Sequence, residues 1–159
     1  MKFIIGIDPG AAGGIAVYGE GKADAKPMPE TMPDIYEMIK GLVDKLESAN
    51  AEIVVYMEDV GHGMPGQSSS ATAKFARHNG NLEAILYCLG ASVRLVTPGK
   101  WQKHYSNTLG KSTSCASKNE WKNKLKAEAQ RRFPKLKVTL KTADALLIAA
   151  YGYDMESKH

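Results

Sequence analysis

Residues 52–58 read EIVVYME, five apolar side chains in unbroken succession between two glutamates. A run of strand length with no polar alternation needs cover on both of its faces. It therefore predicts an interior strand of a mixed or parallel sheet, with helices above and below. The N-terminal stretch supplies neighbours for it. Lys2 to Ile7 reads as a strand stopped by Asp8-Pro9-Gly10. Gly14 to Tyr18 pairs back on it as an antiparallel hairpin, and residues 23–28 form a weaker third strand. Ser92 to Thr97 is a last strand, closed by Pro98-Gly99.

Helical spacing marks the rest of the chain. Ile35, Ile39, Leu42, Val43 and Leu46 recur through a helix from Pro33 to Ser48. A second helix, Ala71 to Leu89, should bury Phe75, Leu82, Ile85, Leu86 and Leu89 before Gly90 stops it. A third, Asn119 to Phe133, carries Trp121, Leu125, Ala129 and Phe133 on one stripe, and the last runs from Thr142 to about Met155. The order β-β-β-α-β-α-β-α-α predicts an α/β fold, a mixed five-stranded sheet with helices on both faces. At 159 residues the chain is read as a single domain, 1–159, too short for a two-lobed kinase.

Composition narrows the class further. A hydrophobic fraction of 43% with 24% charged residues excludes a disordered chain. No apolar run approaches the roughly 18–20 residues that span a bilayer, so no membrane partner is expected. Cys88 and Cys115 are too few for a disulfide framework or a zinc site, and a reducing cytoplasm is the expected compartment. Charge is unevenly placed. Residues 1–93 hold 7 Lys+Arg against 12 Asp+Glu, whereas residues 94–141 hold 13 against 2. The basic segment is interleaved with Trp101, Tyr105 and Trp121 and contains a polar stretch, Ser106 to Lys118. This combination suits a polyanion, with lysines tracking phosphates without reading sequence.

Three carboxylates stand at element ends. Asp8 closes the first strand, Glu58 closes the apolar strand, and Asp144 lies in the first turn of the last helix. Asp8 also suits a turn, and Asp144 a helix start. Glu58 must reach solvent or meet a cation, because an unpaired buried charge is costly. Together the three make a donor set for hard divalent cations such as Mg²⁺, with Mn²⁺ as a substitute. Two such ions can activate water and stabilise the leaving oxygen of a phosphodiester. Gly10, Gly13 and Gly14 beside Asp8 would leave room for a phosphate backbone.

The segments IIGIDPGAAGGIAV, VVYMED and TADALLIAAYG resemble the RuvC-type Holliday-junction resolvases, nucleases of the ribonuclease H-like superfamily. FARHNGNLEAILYCLGASVRLVTPGKWQK is similar to the phage and bacterial RuvC-like branch and to the chloroplast resolvases. The resemblance implies a ribonuclease H-like fold and one RuvC-like nuclease domain. It implies metal ligation by Asp8, Glu58 and Asp144, and a homodimer that cuts four-way DNA junctions with paired symmetric nicks. The family usually has a further Asp three residues before the position of Asp144, and here that place is Lys141. Lys141 either contacts the scissile phosphate or leaving group, or is one more backbone lysine. Its charge puts a second metal in question.

Asp59 and His62 are the nearest substitutes in sequence. Asp59 should point away from Glu58, while His62 either assists proton transfer or is incidental. Met64 falls where the family inserts a side chain at the crossover. Lys74, Arg77, Lys100, Lys103, Lys111, Lys118 and Lys122 are the DNA-contact candidates. Trp101 either stacks on a base or belongs to the core. Leu82, Ile85 and Leu86 belong to the core or to a dimer seam.

The expected activity is thus Mg²⁺-dependent endodeoxyribonuclease action on junctions. The rivals are a junction-binding protein without catalysis and a related ribonuclease H-like or flap nuclease. A nucleotide phosphotransferase shares the DxGxxxG opening but is disfavoured by length and by the basic segment, so no nucleotide cofactor is expected.

Overall fold

The computed structural model describes residues 1–61 and 66–158. Its centre is a five-stranded sheet of order β3-β2-β1-β4-β5, made of β1 (Lys2–Asp8), β2 (Gly14–Gly19), β3 (Lys22–Pro27), β4 (Glu52–Glu58) and β5 (Ser92–Val96). The first three strands form an antiparallel meander, and β4 and β5 join β1 in parallel. Every parallel join needs a crossover, and helices supply them. The first is α1 (Met32–Ser48), the second α2 (Ser69–Cys88). The apolar run of β4 is interior, as its composition requires, with Val54 to Met57 all buried.

The two faces of the sheet carry separate cores, because side chains alternate along each strand. Ile5, Ile7, Val55 and Met57 face α1 and α2, packing on Ile35, Ile39, Leu82 and Leu86. Ile4, Val54 and Tyr56 face the opposite way, toward α5 (Lys118–Arg132) and α6 (Leu140–Glu156). Of the residues expected to be buried on α2, only Leu82 and Leu86 are; Phe75, Ile85 and Leu89 are half-buried. With Leu82 and Leu86 inside the fold, that pair does not form a seam to a second copy.

Helix α6 is the tightest piece of packing. Its residues Ala145 to Ala150 are all buried, and each large aliphatic among them contributes about 1.5–3 kcal/mol. The helix lies almost on the backbone of the strands. A methyl group added at Gly6 of β1 would come within 2.3 Å of the Ala145 carbonyl, and one at Gly152 within 2.6 Å of the Tyr56 ring. At its far end Glu156 accepts hydrogen bonds from Tyr56 Oη (2.8 Å) and Arg94 Nε (2.6 Å). The helix therefore spans the sheet from one edge to the other.

Two short helices were not expected: α3 (Pro98–Lys103) and α4 (Ser106–Leu109), followed by a 3₁₀ turn at Ser112–Ser114. Pro98-Gly99 reads as a stop, but proline at the first helical position is also a start. Among the described residues no helix is long and apolar enough to cross a membrane.

Candidate active site

The pairing register decides where the carboxylates go. β1 and β4 run in parallel with Ile7 opposite Met57, so Asp8 and Glu58 leave their strands side by side. Neighbouring strands lie about 4.8 Å apart, and residues opposite one another share a face. By alternation that face is the one under α6. Gly14, the cross-strand partner of Asp8, lies directly beneath the start of this helix. A methyl group there would sit 2.5 Å from the Lys141 carbonyl. Asp144 follows one turn later. The helix begins where it does because the Thr142 hydroxyl accepts from the Thr139 N–H at 3.1 Å, closing a capping box.

The charge of Asp144 reaches both Asp8 and Glu58. Burial pushes the Asp8 carboxyl up to about 8, helped by repulsion from Asp144 and Glu58 and opposed by Lys122. Burial raises Glu58 to about 7 against a hydrogen bond from Trp101 that favours the charged form, with Asp144 adding to the rise. Asp144 is pushed up to about 6 by burial, again opposed by Lys122. Three acids that resist ionisation at one sheet edge make a centre short of positive charge. Among the described residues, however, no three His, Cys, Asp or Glu side chains are gathered closely enough to grip a metal ion. The donor chemistry fits a hard divalent cation; a closed chelate is not preformed.

Glu58 has one strong partner. The Trp101 indole N–H donates to its Oε2 at 2.6 Å, and both residues are buried. Of the two readings of Trp101, the structure selects the core one. Trp101 and Tyr105 are 0% and 1% exposed, and only Trp121 is half-buried. Nothing local in the sequence announced the Trp101–Glu58 bond. The one available signal is general: a buried indole N–H must find an acceptor.

Two of the glycines beside Asp8 are required by close approach of the chain itself. A side chain at Gly13 would strike the Asp8 carbonyl at 2.0 Å, and one at Gly14 the Lys141 carbonyl. Gly13 and Gly14 admit the chain's own turn and helix. Asp59 is exposed and points away from the centre, accepting from the Gly61 N–H at 3.0 Å. Lys141 is exposed at the start of α6. His62 and Met64 lie outside the described residues.

Lys74 and Arg77 are exposed on α2, Lys100 and Lys103 on α3, and Lys111, Lys118 and Lys122 before and on α5. The structure separates Lys122 from the others, since its charge acts on both Asp8 and Asp144. Beside Asp144 opens a cavity of about 560 Å³, lined among others by Ser112, Thr113, Lys118, Trp121 and Lys122.

No protein-family model matches the sequence, and no curated protein is similar to it at the sequence level. Solved structures do match. The RuvC structure of Thermus thermophilus aligns over 97% of this chain and 96% of its own, with a TM-score of 0.53 at 16% identity. The T. thermophilus RuvC in complex with a Holliday junction substrate aligns over 98% and 96%, with a TM-score of 0.57 at 18% identity. The chain has the RuvC fold. It is the ribonuclease H-like α/β arrangement that the resemblance implied, with the five strands in the order given above. Within the RuvC fold, Asp8, Glu58 and Asp144 occupy the edge formed by the C-terminal ends of β1 and β4, where open α/β sheets place ligands.

Proposed function

We propose that residues 1–159 act as one nuclease domain that cuts four-way DNA junctions by metal-dependent phosphodiester hydrolysis. The observation that carries this is the placement of Asp8, Glu58 and Asp144. They stand at one edge, Glu58 buried and the other two half-buried, where Asp144 raises the proton affinity of both Asp8 and Glu58, in a fold matched by a RuvC bound to a junction. Asp8, Glu58 and Asp144 would hold Mg²⁺ or Mn²⁺. The ion would supply an activated water and charge stabilisation for the leaving oxygen. The protein's own part is to bring the scissile phosphate to that edge. Lys122 neutralises part of the acidic field there, and Lys118 stands with it along the rim of the cavity beside Asp144. Lys74, Arg77, Lys100, Lys103 and Lys111 are proposed backbone contacts. Lys141, at the exposed start of α6, is proposed to meet the substrate phosphate from the same side. Two symmetric cuts require two centres, so the acting species is proposed to be a homodimer.

The test is cleavage of an end-labelled immobile four-way junction, a matched duplex, a flap and an RNA–DNA hybrid, with and without Mg²⁺. Paired symmetric nicks in the junction alone are expected, and sedimentation of the free protein should give twice the 17.3 kDa chain mass. One observation favours a second reading. Lys141 replaces a carboxylate and the remaining three are not gathered into a chelate. Tight junction binding without cutting in either Mg²⁺ or Mn²⁺ would establish a binding protein, and cutting of flap or hybrid a different nuclease.

A further inference from the structure

We propose that Trp101 is a positioning residue for Glu58, fixing the carboxylate so that Oε1 is the oxygen left free to meet a cation. This rests on the reading above that Glu58 faces a divalent ion, and it goes beyond that reading by assigning a residue that never touches the ion.

The contact is built by the fold. Glu58 is paired with Val96 across β4 and β5, and the Asp59 N–H donates to the Val96 carbonyl at 2.8 Å. The chain therefore leaves β5 right beside Glu58. Thr97 and Pro98 turn it into α3, and one helical turn brings Trp101 back over the strand end, its own N–H bonded to the Thr97 carbonyl at 3.3 Å. The indole cannot drift. It is 0% exposed and meets Tyr105 edge to face, with centroids 6.3 Å apart. The Tyr105 hydroxyl in turn donates to the Leu147 carbonyl of α6, the helix that carries Asp144. An indole N–H is a donor only, so its sole use at 2.6 Å from Oε2 is to hold that oxygen. A carboxylate under repulsion from a neighbouring acid would otherwise rotate away from it. The indole thus ties the orientation of Glu58 to the same helix that places Asp144.

Two measurements test this, neither of them cleavage. The first is Mn²⁺ binding by calorimetry, without DNA, for the intact protein, Trp101→Phe, Glu58→Gln and the double variant. Phenylalanine keeps the ring and removes the donor. Trp101→Phe is expected to weaken Mn²⁺ by about tenfold or more in the native background, the usual effect of losing a group that orients a metal ligand. In the Glu58→Gln background it should change affinity less than about twofold, because the two residues act as one unit. Equal losses in both backgrounds, or no loss in either, overturn the proposal and leave Trp101 a core residue. If the intact protein binds no Mn²⁺ at all, the metal reading falls and this inference with it.

The second measurement needs no substitution at Trp101. The chain has two tryptophans, so its ¹H–¹⁵N spectrum has two indole signals, assigned with Trp121→Phe. The Trp101 signal should move saturably with Mg²⁺ and stay still in Asp8→Asn. A Trp101 signal that ignores Mg²⁺ at concentrations where calorimetry shows binding also overturns the proposal.

Discussion

Asp8, Glu58 and Asp144 are acids that the folded chain would rather keep protonated, and the sign of that preference makes a prediction. Their values in the fold, about 8, 7 and 6, lie above the ordinary carboxylate range near 4. The native state therefore binds more protons than the unfolded state between about pH 4 and pH 8, and stability falls as pH rises through that window. In EDTA, calorimetry should find Tm dropping from pH 5 to pH 8. Asp8→Asn should recover a few degrees at pH 8 and nothing measurable at pH 4. The same variant should lose junction cleavage by about 10³-fold or more while binding the junction nearly as well. Unchanged cleavage would remove Asp8 from the centre. Asp8 and Glu58 were legible because each closes an apolar strand, a position where a charge needs a reason. Asp144 was legible through the TADALLIAAYG resemblance, since an acid in a first helical turn has an ordinary explanation. Trp101 was not legible, because its role depends on Glu58 lying opposite Val96, and no local pattern states a cross-strand register.

At the scale of elements, the hydrophobic periods carried most of the fold. The five strands and four long helices stand within two residues or so of where the apolar spacing puts them. What the periods miss is close approach. Gly6 sits in the middle of an apolar strand. It is the place where α6 rests on β1, with the Ala145 carbonyl and Ala149 amide against it. Gly6→Ala should therefore cost about 1–3 kcal/mol or more by overpacking, read as a lower urea midpoint with an unchanged slope. It should also cost activity beyond the stability loss, since any lift of the helix takes Asp144 away from Asp8. Gly41→Ala in α1, where nothing lies near the added methyl, is the matched control and should be neutral or slightly stabilising. The short α3 escaped because Pro98-Gly99 carries two meanings, and only the tertiary position of Thr97 selects between them.

Across the whole molecule, charge is sorted between structure and surface. Part of the basic segment is paired with the chain's own acids. Arg131 and Arg132 both hold the buried Glu128 at 2.7 Å, Arg132 also lies over the Tyr105 ring, and Arg94 holds Glu156. The lysines of α3, the polar stretch and the start of α5 remain exposed. Sequence alone counted all thirteen basic residues of 94–141 as one field; the Glu128 pairs follow helical spacing within α5, whereas the Arg94–Glu156 pair joins two elements and leaves no local trace. Junction affinity should fall steeply and log-linearly with salt. Lys118→Ala should flatten that slope by about one while weakening all junction sequences alike. An unchanged slope would return Lys118 to the solvated surface. Arg131→Ala should instead lower Tm and leave the slope alone. One last consequence follows from α6 spanning the sheet. Synthesis delivers Asp8 first, then Glu58, and the helix with Asp144 only after all five strands. A chain still emerging from the ribosome with its sheet already paired would lack both the third acid and the helix that packs on β1 and β2 beside the first. The three acids come together only when the last helix docks, so their meeting is timed by translation.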